Sequence, residues 1–443
     1  RPGRECGQMD DPILGIVGFI GTVVLIALRV PISIALGVSG MVGLYVLLGW
    51  PATSGLVQTS VYGFAASWSL SAIPLFLFMG ALLEKSNLIA KIFRAARLWL
   101  SGLPGGLAMA VNVSSAAFAT VSGSSMATAA AMGRMAIPEM LAAGYSKRLA
   151  AGCVASAGTL GSLIPPSVLM ILYGLLAEVS ISKMLLAGLL PGLLTMIVYM
   201  LAILIVAKVR PDSAPRIDIR PSLSERLNSL KGIWPLPILF GTLLGGMYFG
   251  FITPTEAAAM GALLSLVYGL AMRGFTLKGL VEATVNTLNS TAQIFMIAIA
   301  AVIFTRFLAI SGLNPFLVEV IQDASFHPIV LFMAVSIMFV ILGMFLDPIG
   351  VMLLSIPIVI PIFDELGYNL IYIGVIVVKF VEIGLLTPPI GLNAFVVKSV
   401  VGDEISLADI FKGIGVFLVC ELIIMILLIG IPEISLFIPE RLS

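Results

Sequence analysis

Long apolar runs, broken at a few polar or proline-marked points, set the pattern of this chain. Runs near residues 12–28, 31–49, 58–84, 147–177, 182–207, 234–251, 254–272, 282–310, 371–400 and 414–437 are each predicted to be a membrane-crossing helix. A helix of about 20 apolar residues suffices for roughly 30 Å of hydrocarbon. A polar, basic stretch from Lys208 to Lys231 divides the first five runs from the last five. Two further apolar stretches are interrupted midway: Leu107–Leu141 at Ser122-Gly123-Ser124-Ser125, and Pro328–Phe363 at Leu346-Asp347-Pro348. Each arm is about 14–17 residues long, short for a crossing but enough to go halfway and return. Both stretches are therefore expected to be re-entrant helical hairpins. A shorter amphipathic segment precedes each, basic at Lys85–Leu100 and acidic at Gly312–Ala324.

The two halves carry the same landmarks. Ile137-Pro138 and Gly144-Tyr145 recur as Ile360-Pro361 and Gly367-Tyr368, and Pro165-Pro166 recurs as Pro388-Pro389. Gly161 recurs as Gly384, Pro31 as Pro254 and Tyr45 as Tyr268, every pair 223 residues apart. One offset held across such separated points marks an internal repeat. Each copy contains five crossings, an odd number, so the second is expected to be inverted relative to the first. Charge gives the same orientation. With the N-terminus outside, Lys85, Lys91, Arg94, Arg97, Lys147, Arg148, the 208–231 loop, Arg273 and Lys278 all fall on the cytoplasmic side, the positive-inside pattern. The first hairpin then enters from the cytoplasm and the second from the opposite face.

Composition fits a chain covered by lipid. Of 443 residues, 60% are hydrophobic and 11% charged, and the mean hydropathy is +1.14, whereas a soluble domain carries about 25% charged residues. A net charge of +1 gives no basic surface for nucleic acid. Cys6, Cys153 and Cys420 are widely spaced and His327 is the single histidine, so neither a disulfide framework nor a histidine-based metal cage is expected. Arg1–Gln8 precede Met9 and read as a cloning remnant or an upstream extension, without the layout of a signal peptide.

The candidate chemistry lies at the breaks. Inverted repeats with broken helices are the architecture of secondary transporters, whose sites lie near the midplane where the repeats meet. Proline has no N–H to return to the carbonyl four residues earlier. Pro165 and Pro166 thus free the carbonyls of Gly161 and Ser162, and Pro388 and Pro389 those of Gly384 and Leu385. A bare carbonyl in lipid costs several kcal/mol, so it must face protein, water or an ion. Hard cations such as Na⁺ take oxygen ligands. Two quasi-symmetric cation sites follow as an expectation. One draws on Thr120, Ser122, Ser124 and Ser125 with Gly161, Ile164 and Ser167; the other on Gly343 and Asp347 with Gly384, Thr387 and Ile390. The two isoleucines would contribute only backbone carbonyls. The solute is expected between the tips, against Ser124, Ser125, Thr128, Asp347, Pro166, Pro389 and Asn393.

Plainer roles compete for several of these residues. Serine and glycine in membrane helices also serve close packing, and Asp347 is equally suited to cap the half-helix that follows it. Arg134 and Glu139 suit pairing or capping at the hairpin end, and Arg306 suits snorkelling. No Gly-Lys-Ser/Thr phosphate loop occurs, and the lack of clustered His, Cys or carboxylates argues against an intramembrane enzyme.

Several motifs in order carry a family resemblance. Gly106-Leu107-Ala108-Met109-Ala110, Ser122-Gly123-Ser124-Ser125-Met126-Ala127-Thr128, Ile137-Pro138-Glu139-Met140 and Gly144-Tyr145 resemble the large membrane subunit (M) of tripartite ATP-independent periplasmic (TRAP) transporters. So do Leu160-Gly161-Ser162-Leu163-Ile164-Pro165-Pro166-Ser167, Gly343-Met344-Phe345-Leu346-Asp347 and Thr387-Pro388-Pro389-Ile390-Gly391. The likeness covers essentially all of Met9 to the C-terminus. It implies an elevator-type, all-α polytopic protein of the bacterial inner membrane that takes up an organic acid, such as sialic acid or a C4-dicarboxylate, with Na⁺ as coupling ion and no other cofactor. It implies two partners, a small four-helix membrane subunit (Q) and a soluble periplasmic substrate-binding protein (P). The small subunit's pattern is absent, as in an unfused large subunit. The division implied is scaffold helices at 9–84, a cytoplasmic arm helix at 85–101, and a first transport half at 102–181. A linking span, cytoplasmic loop and second scaffold set fill 182–310. A periplasmic arm helix at 311–326, a second transport half at 327–402 and a C-terminal span at 403–443 complete it. The alternative is a single-component Na⁺/dicarboxylate symporter, which shares this hairpin plan but carries Ser-Asn-Thr tips that are missing here.

Overall fold

The computed structural model describes residues 11–216, 221–272, 275–323 and 327–441, which are helical with no strand among them. The prefix at 1–8 and Arg273 lie outside these residues. The first copy begins with α1 (Pro12–Ala27), α2 (Ile32–Ala65), α3 (Ala72–Lys85) and the amphipathic α4 (Leu88–Leu100). It continues with α5 (Gly106–Ser122), α6 (Ser125–Ala142), α7 (Lys147–Ala157), α8 (Val168–Leu176), α9 (Ile181–Ala187) and α10 (Leu189–Val209). A short α11 (Leu223–Leu230) lies in the basic connection.

The second copy opens with α12 (Pro235–Phe240) and α13 (Gly246–Tyr248), joined by a π turn, then α14 (Pro254–Ala271), α15 (Leu277–Ile310) and α16 (Leu313–Asp323). α17 (Pro328–Phe345), α18 (Pro348–Glu365), α19 (Leu370–Leu386), α20 (Leu392–Val401) and α21 (Leu407–Gly430) follow. Local chemistry sets many of these ends. Proline opens α12, α14, α17 and α18, where a missing N–H costs nothing. Side-chain caps from Ser124, Ser146, Ser167, Asn369 and Ser406 start α6, α7, α8, α19 and α21.

The repeat is visible in the element bounds. Shifting α6, Ser125–Ala142, by 223 residues gives 348–365, the bounds of α18. The expected span at 58–84 is corrected. The backbone turns left-handed at Gly49 (φ 73°) ahead of Pro51, then stays helical to Ala65. A break at Ala66-Ser67 follows, and a tight turn at Trp68–Ser71 leads into α3. Gly49 corresponds to Met272, which caps α14, but α15 runs unbroken for 34 residues where its twin is divided. Ser67 is extended (φ −66°, ψ 120°), and the Ser71 hydroxyl donates to the Trp68 carbonyl. The hydroxyl thus satisfies a carbonyl at the break.

Packing between the copies fixes their relative direction. Arg148 Nε donates to Asp409 Oδ1 at 2.9 Å. Four residues on in each helix, a Cβ on Gly152 would come 2.3 Å from the Gly413 carbonyl carbon. α7 and α21 therefore run parallel. The same holds for α2 and α15, where Gly37, Gly40 and Gly43 meet Ala300, Phe304 and Phe307 in turn. Copies of equal direction would make both pairs antiparallel, so the second copy is inverted. Glycine at these crossings admits backbone-to-backbone approach, the usual basis of helix association in lipid.

The hairpins and broken helices form one body. α5 with α6, and α17 with α18, turn at Gly123-Ser124 and Leu346-Asp347. α7 continues as a tight turn through Ser162, breaks, and resumes as α8; α19 breaks after Leu386 and resumes as α20. α20 packs along α6 and α8 along α18, so each outer half lies beside the other copy's hairpin. α2, α3, α14 and α15 pack on one another beside this body.

Candidate ion-binding site

The first break and the first tip interlock. Ser122 Oγ and Thr128 Oγ1 lie 2.8 Å apart, and Thr128 Oγ1 donates to the Ser124 carbonyl at 2.8 Å. Gly123 is left-handed (φ 59°), and a Cβ there would lie 2.7 Å from the Pro166 carbonyl oxygen. Gly161 passes under the tip, where a Cβ would meet the Ser124 carbonyl at 2.6 Å. The N–H groups of Leu163 and Ile164 both go to Leu160 O, at 3.2 and 3.0 Å. Pro165 and Pro166 bring none, so the next turn sends no N–H to the carbonyls of Gly161 or Ser162. Ser122, Ser124, Ser125, Thr128 and Gly161 are thus brought together. Ser167 caps α8, accepting from Met170 N at 3.3 Å. The Ile164 side chain packs with Ala116, Ala119 and Leu160. Thr120 donates to Ala117 O at 2.7 Å and faces a void of about 10 Å³ that separates Pro165-Pro166 from α12 and its π turn.

The second break has the same plan with different contacts. Gly343 and Gly384 cross so closely that a Cβ on either would lie 2.8 Å from the other's Cα. Thr387 Oγ1 donates to Ile383 O at 2.7 Å and Thr387 N to Gly384 O at 3.1 Å, ending α19, so the Gly384 carbonyl, expected to be freed by Pro388, keeps a donor from the tightened last turn. Asp347 caps α18, Oδ1 accepting from Ile349 N and Gly350 N at 3.1 and 3.0 Å. It also borders a cavity of about 410 Å³ with Pro31, Ser33 and Gln293. Both Pro-Pro bonds are cis. Pro165 and Pro166 are buried, whereas Pro388 and Pro389 are exposed and Ile390 is half-buried. Asn393, expected against the solute between the tips, reaches the first copy, its Nδ2 donating to Ala155 O at 3.4 Å. Arg134 pairs with Glu84 at 3.6 Å and Arg97 with Glu139 at 2.8 Å, tying the first hairpin to α3 and α4. Arg306 lines a cavity of about 480 Å³ between α2, α15, α8 and α18, with Thr59, Ser60, Ser67 and Thr305.

The sequence compares directly with known proteins. The DctM component of the tripartite ATP-independent periplasmic transporter matches it over residues 19–434. This chain belongs to the DctM family of TRAP transporter large permease proteins. The C4-dicarboxylate TRAP transporter large permease protein DctM of Pseudomonas aeruginosa is 34% identical over 92% of this chain and 94% of its own length. The ectoine/5-hydroxyectoine TRAP transporter large permease protein UehC of Ruegeria pomeroyi is 31% identical over 95% of this chain and 98% of its own. The sialic acid TRAP transporter large permease protein SiaM of Vibrio cholerae is 31% identical over 84% and 87%. In fold, the chain is similar to the crystal structure of the Alcanivorax borkumensis YdaH transporter (TM-score 0.65, 15% identity, 88% of each chain).

This large permease protein also buries charges that sequence reasoning passed over. Lys379 and Glu382 on α19 are 0% exposed and Glu421 on α21 is 1% exposed. The Lys379 ammonium contacts the Glu421 carboxylate, which also accepts from the Tyr199 hydroxyl. The signal was present. All three ionisable residues interrupt apolar runs, and such residues inside a span are functional candidates by default.

Proposed function

We propose that this subunit carries an organic acid into a bacterial cell, driven by Na⁺ moving down its gradient. In this reading it lies in the inner membrane with its N-terminus periplasmic, joins a small four-helix subunit, and receives substrate from a periplasmic binding protein. The two broken helices supply half-helix ends and proline-freed carbonyls to cations, and the tips hold the carboxylate between them. The body formed by hairpins and broken helices moves against α2, α3, α14 and α15 as an elevator. The observation that carries the reading is the paired break: Gly161 under Ser124, and Gly384 against Gly343, 223 residues apart. The relatives' substrates, C4-dicarboxylate and sialic acid among them, favour a carboxylate. The test is uptake by the reconstituted membrane subunits with binding protein present. An inward Na⁺ gradient drives accumulation; equal accumulation with K⁺ replacing Na⁺ overturns the coupling.

A further inference from the structure

Glu382 stands where three structural facts converge. It lies on α19, a little over one turn before the second break, yet faces the first: the side chains of Ser162 and Ser125 lie beside its carboxylate. Neither closes a well-formed hydrogen bond, and among the described residues both carboxylate oxygens and Ser125 Oγ are buried without a partner. The surrounding backbone is tightly packed, since a Cβ on Gly158 would lie 2.9 Å from the Ser125 carbonyl.

The third fact is a charge count. Lys379 is engaged by Glu421, whose other partner is the Tyr199 hydroxyl. With all three groups ionised, one lysine and two glutamates leave one negative charge in a fully enclosed interior. An isolated carboxylate there is strongly disfavoured unless a counter-charge joins it. One monovalent cation balances the cluster, whereas a divalent ion would reverse its sign.

Resting on the coupling proposed above, we infer that Glu382 is the anionic ligand of a Na⁺ held at the first break together with Ser125 and Ser162. This joins the copies functionally, because a side chain of the second repeat completes the cation site of the first. The carboxylate supplies the charge, the hydroxyls supply oxygens, and the cation fills the unmet hydrogen-bonding capacity.

The test is equilibrium binding of radioactive Na⁺ to the purified subunit in detergent, at constant ionic strength with K⁺ as the replacing ion. Glu382→Gln keeps the shape and removes the charge. It is expected to lose one Na⁺ or weaken it by about tenfold or more, while Thr387→Ala at the other break leaves that Na⁺ in place. Should Glu382→Gln not fold, Ser162→Ala reads the same site and is expected to weaken the same Na⁺. Unchanged number and affinity in Glu382→Gln, or in Ser162→Ala where that variant stands in, overturns the assignment. Wild-type protein that binds no Na⁺ overturns the assignment together with the coupling, so the two failures are distinct.

Discussion

The Lys379–Glu421 pair carries the clearest consequence of a single substitution. Lys379→Met leaves Glu421 buried with the Tyr199 hydroxyl alone, and breaking one partner of a buried pair typically costs about 3–5 kcal/mol. The double variant Lys379→Met/Glu421→Gln removes both charges and is expected to recover most of that loss, as read by thermal unfolding in detergent. Thr387 makes a complementary case. Its hydroxyl donates to Ile383 O at the end of α19, so Thr387→Ala is expected to raise the Na⁺ concentration for half-maximal uptake while expression stays level. Unchanged Na⁺ activation contradicts a role for that break. At this scale the sequence was only half legible. Ser122, Ser124, Thr128 and Gly161 could be grouped because proline and small hydroxyls mark breaks in any membrane helix. The contact of Asn393 with Ala155 was not legible, because position along a broken helix does not say which neighbour a side chain meets. Glu382 escaped notice because the side chains beside it, Ser125 and Ser162, come from the other copy.

The elements were the most legible part. Hairpin bounds follow from arm length, and the 223-residue offset predicts α18 from α6 to the residue. The failure was the helix ahead of α3. Residues 53–71 mix serine and threonine with apolar positions, and such a stretch has no strong intrinsic preference, so packing decides where the helix breaks. Glycine crossings give the test at this scale. Gly413 faces the Arg148 carbonyl so closely that a Cβ would lie 1.9 Å from it. Gly413→Ala must separate α7 from α21, and an overpacked contact commonly costs about 1–3 kcal/mol. Thermal unfolding of the variant is expected to start lower; an unchanged midpoint contradicts the tight parallel crossing.

For the whole molecule, inversion is the property that, in the proposed transport cycle, would let two half-sites work as one alternating device. Leu103 precedes the first hairpin and Leu366 follows the second, and both are exposed. Single cysteines at these positions are expected to react with impermeant reagent from opposite faces, Leu103→Cys from the cytoplasm. The odd number of crossings made the inversion readable without a structure, and the basic residues give the orientation that the labelling tests. The partners and the solute were not legible, because in the proposed tripartite reading the solute is selected by another chain. The most direct test of the account is therefore substrate uptake into proteoliposomes holding the large and small subunits under an inward Na⁺ gradient, with the periplasmic binding protein added or omitted. The account predicts accumulation with the binding protein and none above background without it. Equal uptake in its absence would contradict the tripartite reading and favour a symporter that needs no binding protein.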